Sequence, residues 1–171
     1  WGAGALLADD MGLGKTVQTI AYLLAKAHEG PQLVVAPASV APNWMKELEK
    51  FAPTLNINML NFAPNRSLTI ARAAAGDIIV MTYTLLLSVR QEITSKEWVT
   101  AVLDEAHVIK NRGAKTSGVC MKLKAKNRVM LTGTPVQNHL GELWNLFQFV
   151  NPGLLGSYED YGRRFITPIE V

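Results

Sequence analysis

Most of the short apolar runs in this chain lack the polar alternation of a half-solvated strand, and longer amphipathic stretches separate them. The runs lie at 5–8, 33–36, 57–60, 78–81, 99–103 and 128–131. Strands covered on both faces read this way. Between and after them, 15–28, 40–51, 67–75, 84–91, 114–125 and 140–150 read as helices, the last with Leu140, Leu143, Trp144 and Phe147 on one stripe. Asn151-Pro152-Gly153 marks a turn, and 157–165 reads as a further short helix. Regular alternation of strand and helix predicts an α/β fold with a mainly parallel central sheet and right-handed crossovers.

Composition narrows the class. A chain of 171 residues, 49% hydrophobic and 18% charged, has the size and balance of one globular domain. Its one cysteine, Cys120, excludes an intramolecular disulfide and a cysteine-rich zinc site. No apolar run approaches the roughly 20 residues of a membrane span, and the Trp1-Gly2-Ala3-Gly4 start lacks the form of a secretory signal. These features predict a soluble, intracellular protein with no membrane partner. The net charge of +3 is too small to establish a nucleic-acid partner. Lys110, Arg112, Lys115, Lys122, Lys124, Lys126 and Arg128, however, follow one another with no acidic residue among them. Such a stretch either faces phosphates or forms a solvated helix face.

The first chemical motif follows the first apolar run. Asp10, Met11, Gly12, Leu13, Gly14, Lys15 and Thr16 place a Gly-rich turn between a strand and a helix, the context of a phosphate-binding loop. Glycines allow backbone N–H groups to approach phosphate oxygens, and a helix N-terminus supplies further donors and a positive dipole end. Lys15 would reach the β/γ-phosphates and the Thr16 hydroxyl would ligate Mg²⁺. Asp9 stands where the standard pattern has glycine, so the loop alone does not settle the matter. The second motif is Asp104-Glu105-Ala106-His107 at the end of a buried-strand pattern. Carboxylates at the carboxyl end of a parallel strand sit where such sheets bind ligands. Asp104 would hold Mg²⁺, and Glu105 would orient and deprotonate an attacking water. Together the two motifs predict a site for a nucleoside triphosphate and Mg²⁺, with Lys15, Asp104 and Glu105 catalytic.

The run from Asp9 to Ile20 resembles the first motif of the Swi/Snf family of DNA-translocating ATPases, within helicase superfamily 2, where aspartate at that position is normal. Further matches follow in the family's order: Val35 to Trp44, Asp77 to Tyr83, Leu103 to Asn111, Leu131 to Asn138, and Leu143 to Pro152. Val108 departs mildly, since a basic residue is frequent there. The resemblance covers nearly the whole chain. It implies a three-layer, RecA-like P-loop NTPase fold, with residues 1–171 as the N-terminal of two lobes, truncated at both ends. It implies ATP between the lobes, double-stranded DNA across both, an arginine finger from the second lobe, and other DNA-bound proteins as partners. An isolated lobe would then be nearly inactive.

For DNA contact or coupling, the matched positions are Ser39, Asn43, Trp44, Thr82, His107, Thr132, Gly133, Thr134, Gln137 and Asn138. Each has a plainer reading. Trp44 can be core, Thr82 can cap the following helix, and His107 either links Glu105 to the Thr132–Asn138 segment or is a satisfied core histidine. Two other functions stay open: a strand-separating helicase lobe of the DEAH kind, and a nucleotide-binding module without chemistry. A stand-alone P-loop kinase lacks its lid-like arginine cluster.

Overall fold

The computed structural model describes residues 4–8, 14–109, 115–133 and 140–170. In chain order the elements are β1 (Ala5–Leu7), α1 (Lys15–Lys26), β2 (Gln32–Ala36), α2 (Ala41–Phe51), β3 (Asn56–Met59), α3 (Arg66–Arg72) and β4 (Asp77–Thr82). There follow α4 (Tyr83–Leu86), α5 (Arg90–Ser95), β5 (Glu97–Leu103), α6 (Lys115–Met121), β6 (Lys124–Leu131), α7 (Leu140–Val150), α8 (Tyr158–Tyr161) and α9 (Thr167–Glu170). The six strands form one sheet in the order β1-β6-β5-β2-β4-β3, and every described pairing is parallel.

Alternate residues of the central strands enter opposite layers, as the two-residue period of a strand requires. Val34, Ala36, Ile78, Val80, Val102, Val129 and Leu131 pack with Ile20 and Leu23 of α1 and Trp44 and Leu48 of α2. Leu33, Val35, Ile79, Met81, Ala101, Leu103 and Met130 pack against Ile70, Leu86, Ile93, Val119 and Phe149 on the other face. Helices on both faces explain the unbroken apolar runs. The three-layer α/β expectation holds, and all six expected strands are present. No helix among the described residues is long and apolar enough to cross a membrane.

Three element expectations are corrected. The helix expected at 84–91 is two short ones, because the Ser88 amide and hydroxyl both bond to the Leu85 carbonyl at 3.0 and 2.8 Å and close α4 there. The helix expected at 114–125 stops at Met121, and 124–127 instead extends β6, where Lys124 and Ala125 pair with Glu97 and Trp98. The alternation of Lys124, Ala125, Lys126 and Asn127 has a strand's period. The buried face of α7 is also rotated from the expected stripe: Leu146 and Phe149 are fully buried, whereas Leu143 and Phe147 are half-buried.

The basic stretch is partly consumed by the fold. Lys126 pairs with Glu29 at 2.8 Å, and the Arg128 guanidinium donates to the Phe149 and Leu123 carbonyls. Arg128 is half-buried and so withdrawn from a cationic surface, and the Lys126 charge is offset by Glu29; Lys115, Lys122, Lys124 and Lys126 are exposed. Lys110 and Arg112 lie outside the described residues.

Gly4 seats the edge strand that leads to the candidate phosphate loop. Its amide donates to Asn151 Oδ1 at 2.9 Å, and a Cβ placed there would lie 2.2 Å from the Val150 carbonyl oxygen and 2.8 Å from that of Arg128. Both are backbone atoms, so the neighbours cannot rotate away. Gly4→Ala is expected to lower unfolding free energy by about 1–3 kcal/mol, the usual cost of overpacking, as read by chemical denaturation.

Candidate functional site

A parallel sheet brings all its strand ends to one edge. Along that edge the order runs from Leu7 through Thr132, Asp104 and Pro37 to Thr82. The connection from β1 to β2 crosses over β6 and β5, which leaves a crevice where the direction of strand order changes. A cleft of about 340 Å³ opens there, lined by Gly14, Lys15, Thr16, Asp104 and Glu105 among others. The residues expected to act together are thus brought together.

On one wall stands the start of α1. Gly14 precedes it with φ 80° and ψ 22°, a left-handed conformation that glycine adopts without a Cβ penalty. Gly14 is the N-cap residue and brings no side chain of its own to the helix start, whose dipole favours negative charge at this wall. Lys15 and Thr16 are half-buried beside it. Asp10, Met11, Gly12 and Leu13, expected to complete the loop, lie outside the described residues.

The facing wall is the end of β5. Asp104 is 7% exposed. Its Oδ2 accepts from the Trp44 indole N–H at 2.7 Å and its Oδ1 from the Glu105 amide at 2.8 Å. Burial is the main reason its carboxyl sits above the ordinary aspartate range. The Trp44 and Glu105 N–H donors oppose that rise, the Glu105 charge adds to it, and the Lys15 ammonium also opposes it. Each oxygen keeps a lone pair for a metal or its water. The Tyr83 hydroxyl, buried beneath, donates to the Asp104 carbonyl at 2.8 Å. Glu105 has φ 49°, the one left-handed non-glycine residue described. That backbone costs about 1–2 kcal/mol and turns the chain sharply just after Asp104. Glu105 Oε2 lies 3.1 Å from His107 Nδ1.

The remaining expected residues separate. Trp44 is fully buried, so contact with a DNA backbone is corrected: its indole is core and holds Asp104. Thr82 is 3% exposed and its hydroxyl bonds to Asn61 and Thr84, which removes it from the surface; it does not cap α4 with its side chain either. Asn43 is exposed but lines the candidate cleft, donating to Glu47 at 2.9 Å. Ser39 is exposed in the turn after β2. His107 is exposed and partnered to Glu105, which excludes the core-histidine reading. Thr132 is buried, its amide bonded to the Leu7 carbonyl at 3.1 Å, and Gly133 is half-buried. Thr134, Gln137 and Asn138 lie outside the described residues.

Tyr83 and Glu47 were missed as site residues, although Tyr83 directly follows a strand end and Glu47 stands three positions after Trp44. Asn145 was missed too. Its amide bonds to the Ile109 carbonyl and, at 3.2 Å, to Ser117, and so fastens α7 beneath the Asp104–His107 turn.

A helix start facing a buried strand-end carboxylate, at the carboxyl edge of a parallel sheet, is an arrangement that α/β domains use to bind ligands. Comparison with known proteins narrows this. The SNF2-related domain family matches residues 2–171, and the chain belongs to that family. It is 44% identical over 99% of its length to YwqA of Bacillus subtilis, a candidate ATP-dependent helicase/translocase, of which it spans 19%. It is 37% identical over 97% of its length to the human SWI/SNF-related matrix-associated actin-dependent regulator of chromatin subfamily A member 1, of which it spans 17%. The SWI2/SNF2 ATPase core of Sulfolobus solfataricus, solved in complex with double-stranded DNA, superposes with a TM-score of 0.86 at 43% identity. There the chain covers 99% of itself and 36% of the core.

Because ionising Asp104 in its buried place opposes folding, its contribution to stability is lost as pH rises from below the ordinary aspartate value through its raised folded one. Trp44→Phe removes the indole donor while keeping an aromatic filler. The variant is expected to lose about 1–3 kcal/mol of stability at neutral pH and less at pH 4, where the carboxyl is closer to neutral, as read by denaturation at both pH values.

Proposed function

We propose that this chain is the ATP-binding lobe of an enzyme that couples Mg-ATP hydrolysis to movement along double-stranded DNA. The observation that carries the reading is the convergence of Lys15, Thr16, Asp104 and Glu105 on one cleft at the start of α1. The names of the relatives support it: a candidate helicase/translocase, a chromatin regulator and an ATPase core bound to duplex DNA.

The residues fit the groups proposed. No cluster of three Asp, Glu, His or Cys among the described residues could hold a metal unaided. Mg²⁺ commonly takes one or two carboxylates and completes its shell with phosphates and water, which suits Asp104 with Thr16. Held by Asp104 and Thr16, Mg²⁺ would neutralise the charge that develops on the phosphates. Lys15 and the first amides of α1 hold the phosphates as fixed positive groups. Glu105 takes a proton from the attacking water, and His107 fixes its carboxylate by hydrogen bond. Trp44 and Tyr83 hold Asp104 from two sides.

On this reading a second lobe supplies an arginine finger, a part worth about 10³–10⁵ in rate in related phosphoryl transfer. The lobe alone therefore binds Mg-ATP weakly and hydrolyses it near background. Movement arises as the lobes close on the nucleotide and reopen. Ser39, in the turn after β2, and Asn43, on α2, are described, exposed motif positions open to DNA phosphate contact.

Lys15→Ala is expected to abolish the rise in melting temperature that Mg-ATP gives the full-length protein, since that rise measures ligand bound to the folded state. An unchanged rise would refute the site. Glu105→Gln should keep the rise and lose steady-state hydrolysis. Duplex DNA should accelerate ATP turnover by the full-length protein without strand separation; displacement of a labelled strand would favour the unwinding helicase instead.

A further inference from the structure

Helix α2 carries a carboxylate that the assignments above leave unused. Glu47 is half-buried and lines the same cleft as Lys15, Thr16, Asp104 and Glu105. Its Oε1 accepts from the Asn43 amide at 2.9 Å, whereas its Oε2 is buried and has no hydrogen-bond partner among the described residues. A buried carboxylate oxygen left without a donor is costly, and such atoms in folded proteins call for a partner. The neighbours in the cleft narrow what that partner is. Phosphate oxygens carry the same charge and only accept. The water shell of a divalent cation offers polarised O–H donors, and Mg²⁺ keeps several of its waters when it binds with a nucleotide.

Glu47 also shares a helix face with the other support of the metal carboxylate. It stands one turn beyond Trp44, whose indole holds Asp104, and Asn43 bridges the same turn. One rigid helix therefore orients both acidic side chains relative to α1. We propose that Glu47 is a positioning residue that accepts hydrogen bonds from the water shell of nucleotide-bound Mg²⁺. This rests on the reading of the cleft as a Mg-ATP site. It carries a sign: without the metal, the Glu47 charge opposes the triphosphate, and with the metal it holds the complex.

The test is calorimetric titration of ATP into the full-length protein, in Mg²⁺ and in EDTA, for the wild type and Glu47→Gln. The wild type should bind ATP more tightly with Mg²⁺, and Mg²⁺ alone should give no binding heat. Glu47→Gln should bind metal-free ATP as well as or better than the wild type, while its gain from Mg²⁺ falls about 10- to 100-fold, the usual effect of losing an outer-shell partner. Equal weakening with and without Mg²⁺, as a purely structural role predicts, would overturn the proposal. So would an undiminished gain from Mg²⁺. A wild type that gains nothing from Mg²⁺ would overturn the Mg-ATP reading together with it. Should Glu47→Gln not fold, Asn43→Ala, which frees Oε1 and leaves the charge, must show a smaller loss of the same gain; an unchanged gain there overturns the proposal.

Discussion

A buried carboxylate at the end of a central strand has to be given hydrogen-bond donors, and much of this domain is arranged around that need. Asp104 ends β5, which lies between β6 and β2 with helices on both faces, so water reaches it poorly. Its donors come from the Trp44 side chain and from the amide of the next residue. For the indole to reach it, α2 must pack closely on the sheet, and Ala41, Trp44 and Leu48 are fully buried there. For the amide to reach it, the chain must turn at Glu105, and it does so in a left-handed conformation. Two features that look like unrelated details of packing and backbone thus answer one electrostatic demand.

The strands were legible because layers on both faces leave a strong mark, namely apolar runs without polar alternation. Elements ending in mixed sequence were less so. Lys124 to Asn127 alternate charge and small side chains in a way that serves either an exposed helix or an edge of pairing, and only the partner strand β5 decides between them. The candidate site was legible where chemistry is concentrated in a local pattern, as at Lys15 and Thr16 or at Asp104 and Glu105. It was not legible where function passes through contacts distant in sequence. Trp44 and Asp104 are 60 residues apart, as are few pairs that a motif could reveal. Motif position left surface contact and a plainer role both open for Trp44 and Thr82, and the burial of both shows that position along the sheet edge does not determine which way a side chain points.

The order of strands also has a consequence for coupling. Phosphate-loop and carboxylate strands occupy one stretch of the edge, β1-β6-β5, and the strands whose following turns resemble DNA-contacting motifs occupy the next, β2-β4. Helix α2 begins at the turn after β2 and lies against the carboxylate of β5. A displacement of that turn would therefore be transmitted to Asp104 through a packed helix rather than through a flexible loop. Close-packed interiors pass on small shifts because they have no slack to absorb them.

The resting site holds several unfavourable arrangements at once. Asp104 is ionisable and buried, Glu105 has a strained backbone, and Glu47 has an oxygen with no hydrogen-bond partner among the described residues. Strain of this kind persists only when the surrounding structure over-determines it, and two well-packed core layers supply that here. A cation brought in with a phosphate ligand would relieve two of the three together, by pairing Asp104 and by giving Glu47 donors. On the proposed Mg-ATP reading, the free energy so released would appear as affinity for the loaded ligand over the metal-free one. These unfavourable terms would then be part of how the site discriminates rather than defects of the fold.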